Sequence, residues 1–355
     1  MAYEEFIGTR AVAPAHAFDE AALLRYLQAH IQGFGNELQV EQFKGGQSNP
    51  TFRLTTSSGR YVLRRKPPGV LLPSAHAVDR EFRVISALAA TAVPVARAHV
   101  LCEDPAVIGS MFYVMDCVDG RVLWDPRLPG MTPDQRAAHY GELGRVLAAL
   151  HQVDPAAVGL GDYGKPGNYI VRQVARWTQQ YRAAETEPID AVEQLIAWLP
   201  TRIPPGDEVA IVHGDYRFDN VIFHPSEPRI LAVLDWELST LGHPLVDFAY
   251  HCMTWHMRAG EEGSRGLAGL DLAALGIPSE ADYLQTYLQR SGRTHAVSAE
   301  DWRYYLVFNM FRLVGILQGI KARALQGNAS NERALQAGQR ARPLAEMAWA
   351  LAQRC

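Results

Sequence analysis

Three observations predict an α+β chain in two lobes, an antiparallel sheet first and a larger, mostly helical part after it. Residues 38–66 run as three short segments of strand character separated by Gly- and Ser-containing turns. From Thr132 onward apolar residues recur at helical spacing. The chain has 355 residues, more than one compact core usually holds. The change of character at Asp119-Gly120 sets the boundary, with residues 1–118 as an N-terminal lobe and 119–355 as a C-terminal lobe.

Asp19 is placed to cap a helix running to about Ile31, with Leu23, Leu24, Leu27 and Ile31 on one stripe. LQVEQF, TFRLTT and RYVLRRK then form a meander joined by KGGQSN and SSG. PPGVLLPSAHA is a loop, and AVDREFRVISALAA is a helix with Val78, Phe82, Ile85 and Ala89 on one face. ARAHVL and SMFYVMDCV bring the strands to five. In the second lobe PDQRAAHYGELGRVLAALHQV, YIVRQVARWTQQYRAA and IDAVEQLIAWL are helices. One short β interruption follows, VAIVHGDYRFDNVIFHPSEPRILAVLDWE, and helices resume from about Val246. The longest apolar stretch, Tyr304 to Ile320, contains Asn309, Arg312 and Gln318; it reads as a buried core helix and not as a membrane span.

Composition excludes several classes. Lys and Arg number 34 against 38 Asp and Glu, a formal net charge of −4, so no global excess of cations points to nucleic acid. Cys102, Cys117, Cys252 and Cys355 have neither metal-ligand nor redox spacing and fit a reducing compartment. The start, MAYEEFIGTR, is acidic and lacks the basic and apolar regions of a signal peptide, so a cytoplasmic location is expected.

The chemistry lies in IVHGDYRFDNVIF…ILAVLDWE. An apolar strand ends at Val212, a polar loop follows, and VIF and ILAVLD pair across HPSEPR. That hairpin is expected to bring Asp215 and Asn220 beside Asp235. Phosphoryl transfer needs such a set: hard oxygen ligands for Mg²⁺, and a second carboxylate off the metal to deprotonate the attacking hydroxyl. The spacing His213-Gly-Asp215-x-x-x-x-Asn220 is that of a kinase catalytic loop, with Asp as base and Asn on the metal. Upstream, the turn Gly45-Gly46-Gln47-Ser48-Asn49 joins two strands; its glycines let backbone N–H groups approach phosphate, and Ser48 adds a donor.

These residues resemble the aminoglycoside phosphotransferase and choline kinase-like family, from about Leu38 to the C-terminal helices. The resemblance implies a protein-kinase-like bilobal fold, ATP and Mg²⁺ as cofactors, Asp215 as catalytic base, and Asn220 and Asp235 as metal ligands. It matches Asp247-Phe-Ala249 to an element whose Asp braces the catalytic loop; the residues alone equally suit a carboxylate at a helix N-terminus. Arg217 stands where protein kinases place a Lys, and is either a γ-phosphate contact or a surface arginine. The family's phosphate-binding cation matches Arg64, and its carboxylate partner matches Glu81. Arginine in place of the usual Lys leaves Arg64 or Lys66 as the contact, since alternation turns Arg65 to the other face. FYVMDCVDG resembles the hinge between lobes, with Met115 lining the adenine pocket and the Asp116 C=O and Val118 N–H reading the base.

The acceptor is a small-molecule hydroxyl. Residues 302–355 carry eight Arg and Lys against two Glu, a local net charge of +6 that suits an anionic acceptor better than a polycationic aminoglycoside. DYGKPGNYIVRQVARW and RRKPPGVLLPSAHAVDREFRV are similar to the branch found as the kinase-like domain fused to acyl-CoA dehydrogenases, which implies a hydroxyacyl-CoA or related acceptor. Trp177, Arg172 and Arg176 either contact substrate or belong to an amphipathic helix packing one aromatic, and Arg312 is either paired internally or facing the cleft. An aminoglycoside or amino-alcohol kinase and a nucleotide-binding pseudokinase are the competing readings.

Overall fold

The computed structural model describes residues 7–44, 49–67, 76–259, 266–326 and 334–354. In chain order, β1 (Thr9–Arg10) is followed by α1 (Glu20–His30), β2 (Gln39–Phe43), β3 (Thr51–Thr56), β4 (Gly59–Arg65), α2 (Val78–Leu88), β5 (Ala98–Cys102) and β6 (Phe112–Asp116). Asp19 caps α1 as its position predicts, accepting from the Ala22 N–H at 2.9 Å. Among the described residues the strands form one six-stranded antiparallel sheet in the order β1-β2-β3-β4-β6-β5. The sequence reading finds five of these; β1 is two residues long, too short to show a period.

On one side of the sheet Leu23 and Leu27 of α1 share a core with Phe52, Leu54, Leu63, Phe112 and Val114. Helix α2 packs on β5 and β6 and on the turn Trp236–Leu238. This unit ends at Trp124 and also takes in Val158–Leu160 and Phe218–Ser239, so the catalytic-motif hairpin, β8 (Val221–Phe223) with β9 (Ile230–Val233), belongs to it. Arg121 bridges to Phe223 through two backbone bonds of 2.8 Å. A Cβ on Gly120 would sit 2.3 Å from the Phe223 carbonyl oxygen, so only glycine fits there.

The second unit comprises Asp125–Ala157, Gly161–Arg217 and the chain from Thr240. Its helix α3 (Pro133–Gln152) opens on a capping box between Thr132 and Gln135, and α4 (Tyr169–Ala183) and α5 (Asp190–Trp198) follow. Strand β7 (Ala210–Val212) pairs antiparallel with β10 (Thr240–Gly242). The sequence reading lacks β10, a three-residue segment containing glycine. Then come α6 (Pro244–Cys252), α7 (Leu272–Leu275), α8 (Glu280–Arg290), α9 (Ala299–Leu325), α10 (Ala334–Gln339) and α11 (Ala341–Ala352). The apolar stretch from Tyr304 is the core of α9, which packs against α4, α6, α10 and α11. Its buried Asn309 donates to the carbonyls of Val246 and Tyr305 at 2.8 and 2.9 Å. No helix among the described residues is long and apolar enough to cross a membrane.

Candidate active site

The residues read as functional fall into two groups, one in each unit. In the first, alternation along β4 sorts three consecutive cations. Arg65 turns toward the α1 side; its Nε donates to Ser110 Oγ at 3.1 Å and its guanidinium lies 5.4 Å from the Phe18 ring centre. Arg64 turns the other way, its Nε 3.0 Å from Glu81 Oε2 and its Nη2 donating to Asp235 Oδ1 at 3.0 Å. Lys66 is 3.6 Å from Asp79 instead.

Glu81 is 1% exposed and also accepts from Asn49 Nδ2 at 2.9 Å and from the Tyr113 hydroxyl at 3.1 Å. A buried carboxylate persists only with partners of this kind. Burial disfavours the charge on Arg64, but Glu81, Tyr113 and Asp235 together outweigh it, so its pKa is raised and it stays a cation. Burial raises Glu81 against the opposing pull of Arg64. The sequence reading gives Asn49 only as the last residue of a turn and does not single out Tyr113. Period-2 counting back from Met115 would have put Tyr113 on one face of β6, though not on Glu81.

Asp235 has φ 62° and ψ 61°, a left-handed conformation uncommon for a non-glycine residue. It is held by its surroundings: Trp236, 1% exposed, donates Nε1–H back to the Val233 carbonyl at 3.0 Å. Leu234 N–H donates to the Asn220 carbonyl at 2.8 Å, which sets Asn220 across the hairpin from the residue preceding Asp235. Such strain, about 1–3 kcal/mol, concentrates at functional positions. Met115 is buried on β6, the Asp116 carboxylate lies 2.6 Å from His99 Nε2, and Val118 is half-buried beyond the strand. Gly45, Gly46 and Ser48 lie outside the described residues; Asn49, next in the chain, is fully buried.

In the second unit β7 delivers His213-Gly214-Asp215. Gly214 has φ +84°, which a side chain disfavours. Asp247, on the first turn of α6, accepts the His213 N–H at 2.7 Å and the Gly214 N–H at 2.8 Å on its two oxygens. It therefore satisfies both readings of the sequence, helix N-terminal carboxylate and brace of the loop. Its Oδ2 is also 3.1 Å from His151 Nε2, and His151 Nδ1 is 2.6 Å from the Tyr287 hydroxyl. Burial opposes ionisation of Asp247, but the His151 bond, the nearby His213 and the backbone donor prevail and lower its pKa. Burial lowers His151. The neutral imidazole thus carries its proton on Nε2 toward Asp247 and accepts from Tyr287 on Nδ1.

Arg312, buried in α9, donates Nη2–H to the Gly214 carbonyl at 2.7 Å. Its guanidinium lies 5.6 Å from the Trp177 ring centre and 5.1 Å from that of Tyr250. Of the alternatives left by the sequence, internal pairing describes it. The Tyr250 hydroxyl donates to Asp215 Oδ1 at 2.6 Å. Arg217 spans the same carboxylate, with Nε 3.0 Å from Oδ1 and Nη2 3.2 Å from Oδ2. Tyr250 was not singled out from the sequence; its position three residues after Asp247, on the same helical face, is the signal that could have found it. Part of the C-terminal positive charge is neutralised: Lys321 and Arg342 both pair with Glu187, the latter at 2.7 Å.

Residues 39–299 match the model of the phosphotransferase enzyme family, well over half of the chain. The chain belongs to that family. It is a small-molecule kinase by fold and family, and its sequence is 44% identical over 345 residues to acyl-CoA dehydrogenase family member 10 of mouse. It is 41% identical over 349 residues to acyl-CoA dehydrogenase family member 11 of human. The matches cover 96% and 97% of this chain but 32% and 44% of those proteins, so the chain spans less than half the length of these relatives. Among solved structures, a candidate aminoglycoside phosphotransferase from Ralstonia eutropha JMP134 is 56% identical, with a TM-score of 0.87 over 95% of this chain and 99% of that one. Choline kinase from Cryptosporidium parvum shares the fold at 12% identity, with a TM-score of 0.64 over 92% of this chain and 96% of that one.

Proposed function

We propose that this phosphotransferase uses ATP and Mg²⁺ to move the γ-phosphate to a hydroxyl of a small anionic metabolite, a hydroxyacyl-CoA or a related compound. The observation that carries the reading is Arg64, held by Glu81 and Asp235 at 3.0 Å each. A cation fixed between a helix carboxylate and the acid that closes the hairpin supports a role for Arg64 at the nucleotide phosphates. Asn220 and Asp235 supply an amide and a carboxylate, hard oxygen donors of the number Mg²⁺ takes when phosphates and water complete its shell. The Asp235 side chain is 31% exposed, so it is open to a ligand. Among the described residues no group of three or more His, Cys, Asp or Glu is placed to hold a metal, so a dedicated all-protein metal cage is not what these donors offer. When bound, the ion would offset phosphate charge.

In this reading Asp215 takes the proton of the acceptor hydroxyl and Arg217 meets the γ-phosphate as charge develops. Gly45, Gly46 and Ser48 cover the phosphates, Met115 lines the adenine pocket, and the backbones of Asp116 and Val118 read the base. Trp177, with Arg172 and Arg176 on the same helix, is the better acceptor contact, since Arg312 is committed to Gly214 and two ring faces. The names of the curated relatives and the basic C-terminal segment support an acyl-CoA acceptor. The name of the Ralstonia structure favours the second reading, an aminoglycoside or amino-alcohol kinase.

The test is ³¹P NMR of purified protein with MgATP against hydroxyacyl-CoA esters, free hydroxy acids, kanamycin and choline. A new phosphomonoester from a hydroxyacyl-CoA is expected, abolished in Asp215→Asn with ATP binding retained. Transfer to kanamycin or choline alone would favour the second reading. Nucleotide binding with no transfer to any hydroxyl would leave a pseudokinase.

A further inference from the structure

Between α3 and α8 of the second unit lies a cavity of about 270 Å³, at the small end of ligand pockets. Its α3 wall contains Gly141 and Gly144, three residues apart on one helical face. Glycine is the least favourable residue after proline inside a helix, so two in the middle of a 20-residue helix need a reason. Gly144 has one in packing: a Cβ there would lie 3.1 Å from the Tyr283 hydroxyl oxygen. Gly141 has none. Its backbone is ordinary helix, and a Cβ there would meet nothing within 4 Å. What its missing side chain provides is space.

The α8 wall carries Tyr283 and Tyr287. Tyr283 is 3% exposed, with its ring packed against Phe248 and Trp255 at centre distances of 5.3 and 5.1 Å. Its hydroxyl, beside Gly144 on the cavity wall, has no hydrogen-bond partner among the described residues. Burial raises its pKa, so it stays a phenol with a proton to donate. A buried donor without a partner is destabilising and calls for an explanation. Other polar side chains on the wall are engaged: Thr286 donates to the Asp282 carbonyl and Arg290 to the Gly141 carbonyl. The Tyr287 hydroxyl is 2.6 Å from His151 Nδ1, and His151 in turn bonds to Asp247, which holds the loop carrying Asp215.

We propose that this cavity is a regulatory site for a small, mostly apolar molecule bearing a carbonyl oxygen, which accepts from the Tyr283 hydroxyl and steadies the Tyr287–His151–Asp247 chain on the adjoining wall. Ala137, Ile277 and Pro278 make the rest of the lining largely apolar, so the body of the ligand is hydrocarbon. The phenol proton selects the acceptor oxygen. The inference does not depend on the kinase reading, because binding at Tyr283 is measured without turnover.

The probes are acetophenone and α-methylstyrene, which has nearly the same shape with a methylene in place of the carbonyl oxygen. Titrated into the full chain and followed by saturation-transfer NMR, acetophenone is expected to bind about 10-fold more tightly, the effect of one neutral hydrogen bond. Tyr283→Phe should erase that preference. Gly141→Leu places a side chain in the open space and should abolish binding of both probes, with the thermal midpoint held or raised. In the wild type, acetophenone should slow amide exchange of His213 and Gly214 severalfold. Tyr287→Phe keeps the ring and removes the bond to His151; it should bind acetophenone and lose the slowing. Equal affinity for the two probes, a preference that survives Tyr283→Phe, binding that survives Gly141→Leu, or no binding at millimolar concentration overturns the proposal, and the cavity then holds water only. Binding without slower exchange at these two amides overturns it as well, leaving a passive cavity.

Discussion

Asp247→Asn is the substitution whose cost the structure defines best. The carboxylate accepts from three donors: His213 N–H at 2.7 Å, Gly214 N–H at 2.8 Å and His151 Nε2–H at 3.1 Å. Asparagine has one acceptor oxygen. If that oxygen keeps Gly214, the new amide N–H groups face the donors of His213 and His151. If it flips, Gly214 faces the amide. Either way at least one buried N–H loses its partner, at about 1–3 kcal/mol. The bonds that survive lose their charge assistance, about 1 kcal/mol each. The sum is a loss of about 3–5 kcal/mol, felt in the second unit, where all four residues lie. Urea unfolding at neutral pH would show it. Hydrogen exchange of a peptide spanning 210–216 would locate it, because the His213 and Gly214 amides should lose protection before the rest of β7. A loss below about 1 kcal/mol, smaller than one orphaned donor costs, or unchanged exchange at these amides, would refute the claim that Asp247 braces the loop.

Other perturbations follow from the same geometry. Gly214→Ala forces a Cβ onto a residue at φ +84°, which costs about 1–2 kcal/mol and misplaces Asp215, so both thermal midpoint and kcat should fall. Glu81→Gln leaves Arg64 with one carboxylate in place of two; about 3 kcal/mol of stability should go, measured by denaturation, and ATP should bind more weakly by calorimetry. Burial holds the His251 pKa at about 3 and that of His243 at about 4, against 6.5 ordinarily. Between pH 6.5 and those values the unfolded chain binds protons that the folded chain does not. Stability is therefore full above about pH 6.5 and falls on acidification by about 1.4 kcal/mol per pH unit for each histidine. Urea midpoints from pH 7.5 to 4.5 measure the slope; a His251→Phe variant with the wild-type slope would contradict the assignment.

Much of this was legible in the sequence because it is local. The Asp19 cap, the meander of β2 to β4, the helix that follows Thr132 and the hairpin after Asn220 are each written within a few residues. Alternation on β4 correctly set Arg65 apart from Arg64, because a strand's side-chain period depends on nothing distant. Partners across the chain were not legible. The pairing of β10 with β7 joins Thr240 to Val212, and neither segment is long enough to show a period. The contacts of Asn49 and Tyr113 with Glu81 are settled by how α2 lies on the sheet. The C-terminal charge excess misled in part, since composition cannot show that Glu187, far upstream, neutralises two of its cations.

The loop around Asp215 shows why its motif looks sparse in sequence while its environment is crowded in space. Asp247 and Arg312 bond to backbone atoms of His213 and Gly214. A backbone partner demands no side chain in return, only a peptide able to adopt φ +84°, and that requirement appears in the sequence as a single glycine. Two of the side chains that bond to the Asp215 carboxylate differ in character, the Tyr250 phenol buried and Arg217 half-exposed. A buried donor on a packed helix holds its geometry. An arginine two residues along the same loop, with a side chain 39% exposed, is held less tightly.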